Sequence, residues 1–315
     1  SVVTSQTMTA TKVSNHQAPK RNRFDAVKRM LPRRSAKLVT GLVLLGAVLL
    51  FAIIVPFFGD DPNAISDIGL TAPSAQHLLG TTMSGQDVFM QLAYATRGSL
   101  IIGFSVAIIA TILSGIFGIL GTYVGGIWDD LLALITNVML VIPGLPLTIV
   151  IAVMSPTRGI AMVIIVLAIT SWAGSARVLR AQTLSMRGRD YVLAAKISGE
   201  RPWRVIVVEI LPNLLPCMAS QFVFAVIFAI LGESSLSFIG LGASGQLTLG
   251  TMLYYSQNAA AINIGAWWWF ISPGVVVAII GAGLSFIDFT IDEVINPKLR
   301  TLNAKPAKSK KAKVK

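Results

Sequence analysis

Long uninterrupted apolar runs dominate the chain, in place of two-residue alternation or a one-faced helical stripe. A bilayer hydrocarbon core of about 30 Å is crossed by roughly 20 apolar residues of helix. Residues 38–58 form one uncharged run of that length and 98–127 a second. A third, 131–157, is interrupted by Pro143-Gly144 and Pro146. The fourth, 159–176, extends past Arg177 if that side chain reaches outward along its apolar stem. The fifth is 210–232. No charge occurs from Ser234 to Ile287, yet 243–263 is polar and reads as a loop or re-entrant segment, leaving 266–287 as the sixth. The pattern predicts an all-α polytopic membrane protein with six transmembrane helices. The first run follows a polar stretch and lacks a small-residue cleavage site, so it reads as a span and not as a cleaved signal.

Composition supports a membrane class. Of 315 residues, 54% are hydrophobic and 13% charged, against roughly 25% charged in soluble domains. The net charge of +12 invites a nucleic-acid reading, but its distribution opposes one. Lys and Arg cluster in the tail up to Lys37, in the segment from Arg177 to Arg204, and in the tail from Lys298; only Arg97 and Arg158 fall elsewhere. Basic clusters beside apolar runs mark the cytoplasmic side. Both termini are therefore expected inside, as basic tails 1–37 and 291–315 that touch anionic lipid headgroups, with no nucleic-acid partner. Residues 59–96, which carry Asp60, Asp61, Asp67 and Asp87, form an extracytoplasmic cap. Residues 97–290 form the core transmembrane domain, with 177–209 inside and 233–265 outside. Two short segments run against the rule: a loop 128–130 with Asp129 and Asp130 is placed inside, and Arg158 is placed outside. Within the first tail, Phe24, Val27 and Leu31 share one face of a short amphipathic helix, and 304–315 reads as disordered.

Reactive chemistry is sparse. Cys217 is the sole cysteine, and His16 and His77 are too far apart to form a metal-ligand pair at helical spacing. Arg97, Glu209, Glu233 and Asp288 fall at span ends, so the intramembrane carboxylate of a proton-coupled secondary transporter is not evident. No phosphate-binding G-x-x-x-x-G-K-[ST] loop and no H-E-x-x-H is present. The serines beside Glu233 have no histidine partner in the spans. The expectation is a transport subunit without its own ATPase site, and with no catalytic, cofactor-binding or metal residue.

The informative segment is 187–213. Asp190 is placed to cap a short helix ending at Ser198, with Gly199 as its left-handed stop. Pro202 opens a second short helix, and Pro212 and Pro216 start the next span. This predicts an L-shaped pair of helices projecting from the membrane, with Ala194 and Ala195 allowing close approach of another surface. Physically, an ordinary connector and a docking element remain equally open. The segment resembles the EAA loop of inner-membrane permease subunits of binding-protein-dependent ABC importers. Ala194, Ala195, Gly199, Leu211 and Pro212 fit that pattern, while Leu193 replaces its Glu and Glu209 an Ile.

Other strings are similar to the C-type subunit of dipeptide and oligopeptide permeases. They are His77-Leu-Leu-Gly80-Thr81-Thr-Met-Ser-Gly85-Gln-Asp87-Val88, Arg97-Gly-Ser-Leu100 and Glu233-Ser-Ser235-Leu-Ser237-Phe238-Ile-Gly240-Leu-Gly242. Ala266-Trp-Trp268, Pro273-Gly274 and Asn296-Pro-Lys-Leu-Arg300 also match. Leu78, Thr82 and Gln86 depart from the pattern. The resemblance implies a half-pathway for peptides, with oligosaccharides or nickel chelates as alternative solutes. It implies as partners a homologous B-type permease subunit, two ATPase subunits that carry ATP and Mg, and an extracytoplasmic solute-binding protein. Within 187–206 it implies that Asp190, Tyr191, Ala194, Ala195, Gly199 and Trp203 couple to an ATPase groove. Gly103, Gly115, Gly118 and Gly121 suit close helix contact, and Pro143 and Pro146 suit a bend.

Overall fold

The computed structural model describes residues 35–296. The expected helix at 24–31, the stretch 304–315 and all but the first residue of Asn296-Pro-Lys-Leu-Arg300 lie outside it. Ser35 Oγ accepts the Leu38 amide at 3.2 Å and opens α1 (Ala36–Phe58). Residues 59–87 form an irregular cap, after which α2 (Val88–Val124) runs back. Then come α3 (Gly126–Val141), α4 (Gly144–Met154) and α5 (Ile160–Arg187). The short α6 (Asp190–Ile197) precedes α7 (Pro202–Phe238). The last helices are α8 (Leu249–Asn258) and α9 (Trp267–Ile295). Among the described residues no strand forms beyond one isolated pairing, Thr81 with Asp87.

Five helices are long and apolar enough to cross a bilayer, and the bent pair α3–α4 brings the number to six when it counts as one span. The all-α, six-span expectation holds. Large apolar side chains face outward, among them Val43 at 63% and Phe57 at 78% exposure on α1. Such a surface suits lipid, where outward apolar groups carry no hydration penalty. At the centre stands α2, touching α1, α5, α7, α8 and α9. Close crossings use small residues. The α1–α9 contact brings Gly41 and Gly283 together, where a Cβ on Gly41 would lie 2.8 Å from the Gly283 carbonyl. On α2, a Cβ on Gly118 would come within 2.6 Å of the Ala176 carbonyl of α5. Gly103 meets Ile230 and Gly121 meets Leu132, but Gly115 has no neighbour within 4 Å and takes no part in such a contact.

Several boundaries differ from expectation. The second span starts at Val88, not 98, because Asp87 caps it outside the apolar run: its carboxylate accepts the Met90 amide at 3.0 Å. No loop exists at 128–130. Gly125 (φ 71°) and Gly126 (φ 65°) reverse the chain at once, so Asp129 lies in the first turn of α3. The third span is two helices meeting at 91°. Ile142 and Pro143 are extended at the break, as a residue before proline prefers. Pro146 falls in the first turn of α4, where no amide hydrogen is needed. The expected second short helix does begin at Pro202, but it runs through a π-helical stretch, Val205–Ile210, into the fifth span. The L-shaped pair is thus one short helix beside an extended span. Pro216, expected at the start of that span, lies inside α7. The polar segment 243–263 contains α8, begun by the reciprocal capping of Thr248 and Thr251.

Candidate functional site

The first candidate is α6, at the bundle end away from the cap. Asp190 is its first residue and Arg189 its cap residue, so the expected Asp190 side-chain cap is absent. At its other end the Ser198 amide bonds the Ala194 carbonyl, and the helix ends in a Schellman turn: Glu200 N–H reaches Ala195 O at 3.2 Å and Gly199 N–H reaches Lys196 O at 3.1 Å. Gly199 has φ 77°, the left-handed conformation expected of it. Val192 is fully buried, and Ala195 packs against the cluster of Leu179, Val205, Ile210 and Leu214 beneath it. Ala195 therefore faces its own chain, contrary to the expected outward pair of alanines. The outward face carries Tyr191, Leu193, Ala194 and Ile197, with Ile197 at 87% exposure. Trp203 is exposed on the first turn of α7.

Charges anchor this end. Arg180 of α5 donates from Nε and Nη2 to both carboxylate oxygens of Asp129 of α3, each at 3.1 Å. Arg187 donates to the Thr122 carbonyl at 2.9 Å, Arg204 pairs with Glu200, and the Lys196 ammonium sits 4.8 Å from the Tyr123 ring centroid. These contacts tie the end of α5 to α2 and α3, and Lys196 ties α6 to α2.

The second candidate is the Glu233 knot. Glu233 was expected at a span end or in an outer loop. It lies inside α7 with 0% exposure. Its Oε1 accepts from Ser237 Oγ and Thr248 Oγ1, both at 2.6 Å, and Oε2 accepts from Ser99 Oγ at 3.4 Å. Ser99 Oγ in turn accepts the Leu249 amide at 2.9 Å. One carboxyl thus joins α2, α7 and the start of α8. Gly242 and Gly250 pack against Ser237, and Gly240 (φ 82°) turns the chain after Phe238, the last residue of α7. Ser235, in contrast, points away and donates to the Leu231 carbonyl at 2.8 Å. Ser99 and Thr248 were missed in the sequence. Ser99 sits inside the Arg97-Gly-Ser-Leu100 string, and Thr248 three residues before Thr251 has the spacing of a capping pair.

The third candidate is the cap. Asp87 accepts the Met90 amide and lies 2.7 Å from His77 Nδ1. Buried Thr81 donates from Oγ1 to the Gly69 carbonyl at 2.7 Å, and its own carbonyl accepts from Trp268 Nε1 of α9 at 3.1 Å. Gly80 (φ 67°) and Gly85 (φ 72°) take the turn conformations expected of them. Gly80, Thr81, Gly85 and Asp87 are thus brought together, at the opposite end from α6. His77 and Trp268 complete the group, and both stand in strings quoted above. Among the described residues no group of three or more His, Cys, Asp or Glu could hold a metal ion.

Comparison with known proteins gives one family. The profile of the binding-protein-dependent transport system inner membrane component matches residues 110–301. The chain is 32% identical to a dipeptide transport system permease protein of Bacillus subtilis, over 88% of this chain and 86% of that one. It is 32% identical to a putative peptide transport system permease protein of Brucella suis, over 87% and 91%. An oligopeptide transport system permease protein of Lactococcus lactis is 29% identical over 88% and 95%.

Proposed function

The chain belongs to the family of inner-membrane components of binding-protein-dependent transport systems, and from that premise we propose that it forms half of a translocation pathway for peptides, driven by partner ATPases. The permease is a multi-pass membrane protein of that class. Its partners in this reading are a homologous B-type permease, two ATPase subunits that bind ATP and Mg, and an extracytoplasmic solute-binding protein. Both termini and α6 face the cytoplasm, and the cap faces outward. The charge pattern supports this orientation, since α6 and the ends of its neighbours carry Arg180, Arg187, Arg189, Lys196, Arg201 and Arg204.

The observation that carries the coupling role is the outward face of α6. A short helix tied to the spans through Val192 and Ala195 exposes Tyr191, Leu193, Ala194 and Ile197. Apolar groups at a charged, water-facing end need a partner surface. A partner that closes on nucleotide then biases two packings of the spans differing by a few kcal/mol. The peptide assignment rests on the names of three relatives that match along nearly their whole length.

The test is uptake into proteoliposomes holding the full complex. Radiolabelled peptide should accumulate only with ATP and loaded binding protein. Uptake of an oligosaccharide or a nickel chelate in place of peptide would select the alternative solute. Uptake driven by an ion gradient without ATP would remove the ATPase reading.

A further inference from the structure

All but two of the 26 Lys and Arg residues fall in three clusters, and the two exceptions, Arg97 and Arg158, converge at the cap end of the bundle. Arg97, exposed in α2, lines a cavity of about 510 Å³ together with Asp61, Asn63, Tyr94, Ile160 and Gln246. Arg158 precedes α5, and its carbonyl accepts the Ser244 amide at 2.7 Å; Gly245, the next residue, lines the same cavity. Among the described residues Arg97 forms no ion pair, whereas His77, Arg180, Arg204 and Lys37 each sit against a carboxylate. Asp61 shares the cavity without closing on Arg97, and its carboxylate accepts the Asn63 amide at 2.9 Å.

We propose that this cavity is an entry site for a zwitterionic solute, a short peptide with free termini, with Arg97 binding the α-carboxylate and Asp61 facing the α-ammonium. The inference rests on the peptide-permease reading and adds a subsite to it. Three features support it. The volume lies in the range of small-ligand sites, roughly 300–1,000 Å³, and suits a few residues in preference to a protein domain. A guanidinium offers a planar fork matched to a carboxylate. Basic residues on the outer side oppose the usual charge distribution, so a pair of them beside one cavity calls for a reason other than topology. Tyr94 and Ile101 supply apolar wall.

The experiment reads solute occupancy directly, without the binding protein. Gln246 lines the cavity and is exposed; Gln246→Cys in a Cys217→Ala background, within the assembled complex, is labelled by an impermeant thiol reagent. A dialanine peptide at millimolar concentration should slow labelling, and its C-terminal amide should not. Arg97→Gln should weaken that protection by about tenfold in concentration, the loss expected for one charge-assisted contact, and Arg97→Lys should recover part of it. Asp61→Asn should weaken it in the same way, and an N-acetylated peptide should protect poorly. Equal protection by free and amidated peptide, or no protection by either, overturns the site. Uptake of the same peptide by the parent complex with its binding protein is measured alongside. Uptake without protection rejects this cavity alone, whereas absence of any peptide uptake rejects the peptide reading from which it starts.

Discussion

Ala194 and Ala195 are neighbours in the chain and differ in what they touch. Ala194 is on the open face of α6, and Ala195 packs on the cluster around Leu179 and Ile210. Ala194→Trp should leave the permease folded and paired with its B-type partner while weakening ATPase association and abolishing solute-stimulated ATP hydrolysis. Ala195→Trp should instead overpack the permease itself, at about 1–3 kcal/mol, and lower its melting temperature in detergent. Gly199→Val belongs with the first: a β-branched residue at φ 77° strains the turn by about 1–2 kcal/mol, and no neighbour lies within 4 Å to add a clash. Normal stimulation in both Ala194→Trp and Gly199→Val would reduce α6 to a connector. At Glu233 the expected outcome is structural. Removing its carboxyl in Glu233→Ala leaves the hydroxyls of Ser237, Thr248 and Ser99 without their acceptor, at about 1–3 kcal/mol for each one left unpaired. Glu233→Gln keeps an acceptor oxygen and should melt well above Glu233→Ala; equal melting points would show that the knot contributes little.

Among the elements, the cap shows how turn geometry and packing combine. A Cβ on Gly80 would stand 2.6 Å from the Thr71 carbonyl and 2.7 Å from Trp268 Nε1, and the backbone there has φ 67°. Gly80→Val should therefore break the contact between Thr81 and Trp268 and expose 59–87 to protease added to intact spheroplasts, with loss of uptake. Unchanged protease resistance and uptake would mean that the cap does not depend on this turn. The expectation of a third span with a bend was legible from Pro143 and Pro146, but its size was not. The 91° angle reflects extended backbone at Ile142 and Pro143 together with the seat that α5 offers α4. Likewise α2 is longer than its apolar run, because Asp87 caps it outside that run and Gln91 is buried by donating to the Pro62 carbonyl of the cap at 3.2 Å.

At the scale of the whole molecule the orientation is the central proposal. Single cysteines at Asn63 and Ser309, with Cys217 replaced by Ala, should react with an impermeant reagent from outside and only after permeabilisation, respectively. Labelling of Ser309 in intact cells would invert the assignment of every loop. Half of the span ends lie five or more residues beyond the apolar runs, yet the sequence by itself determined the all-α membrane class, the apolar centre of each span, and the left-handed turns at Gly80, Gly85 and Gly199. Each of these follows from local facts: run length against bilayer thickness, and the steric freedom of glycine. The family was legible for the same reason, since its strings are contiguous in the chain. Only the tertiary structure decided which groups meet across long separations. It buried Glu233 within α7 and gave it Ser99 and Thr248 as partners. It moved Asp129 from a loop into an ion pair with Arg180. It turned Ala195 inward and brought Arg97 and the turn at Arg158 to one cavity. A hydropathy pattern records how apolar a residue's surroundings must be, and it carries no information about which helix supplies the hydrogen-bond acceptor. Those pairings depend on helix rotation and crossing, set here by close contacts such as Gly118 against Ala176 and Gly41 against Gly283.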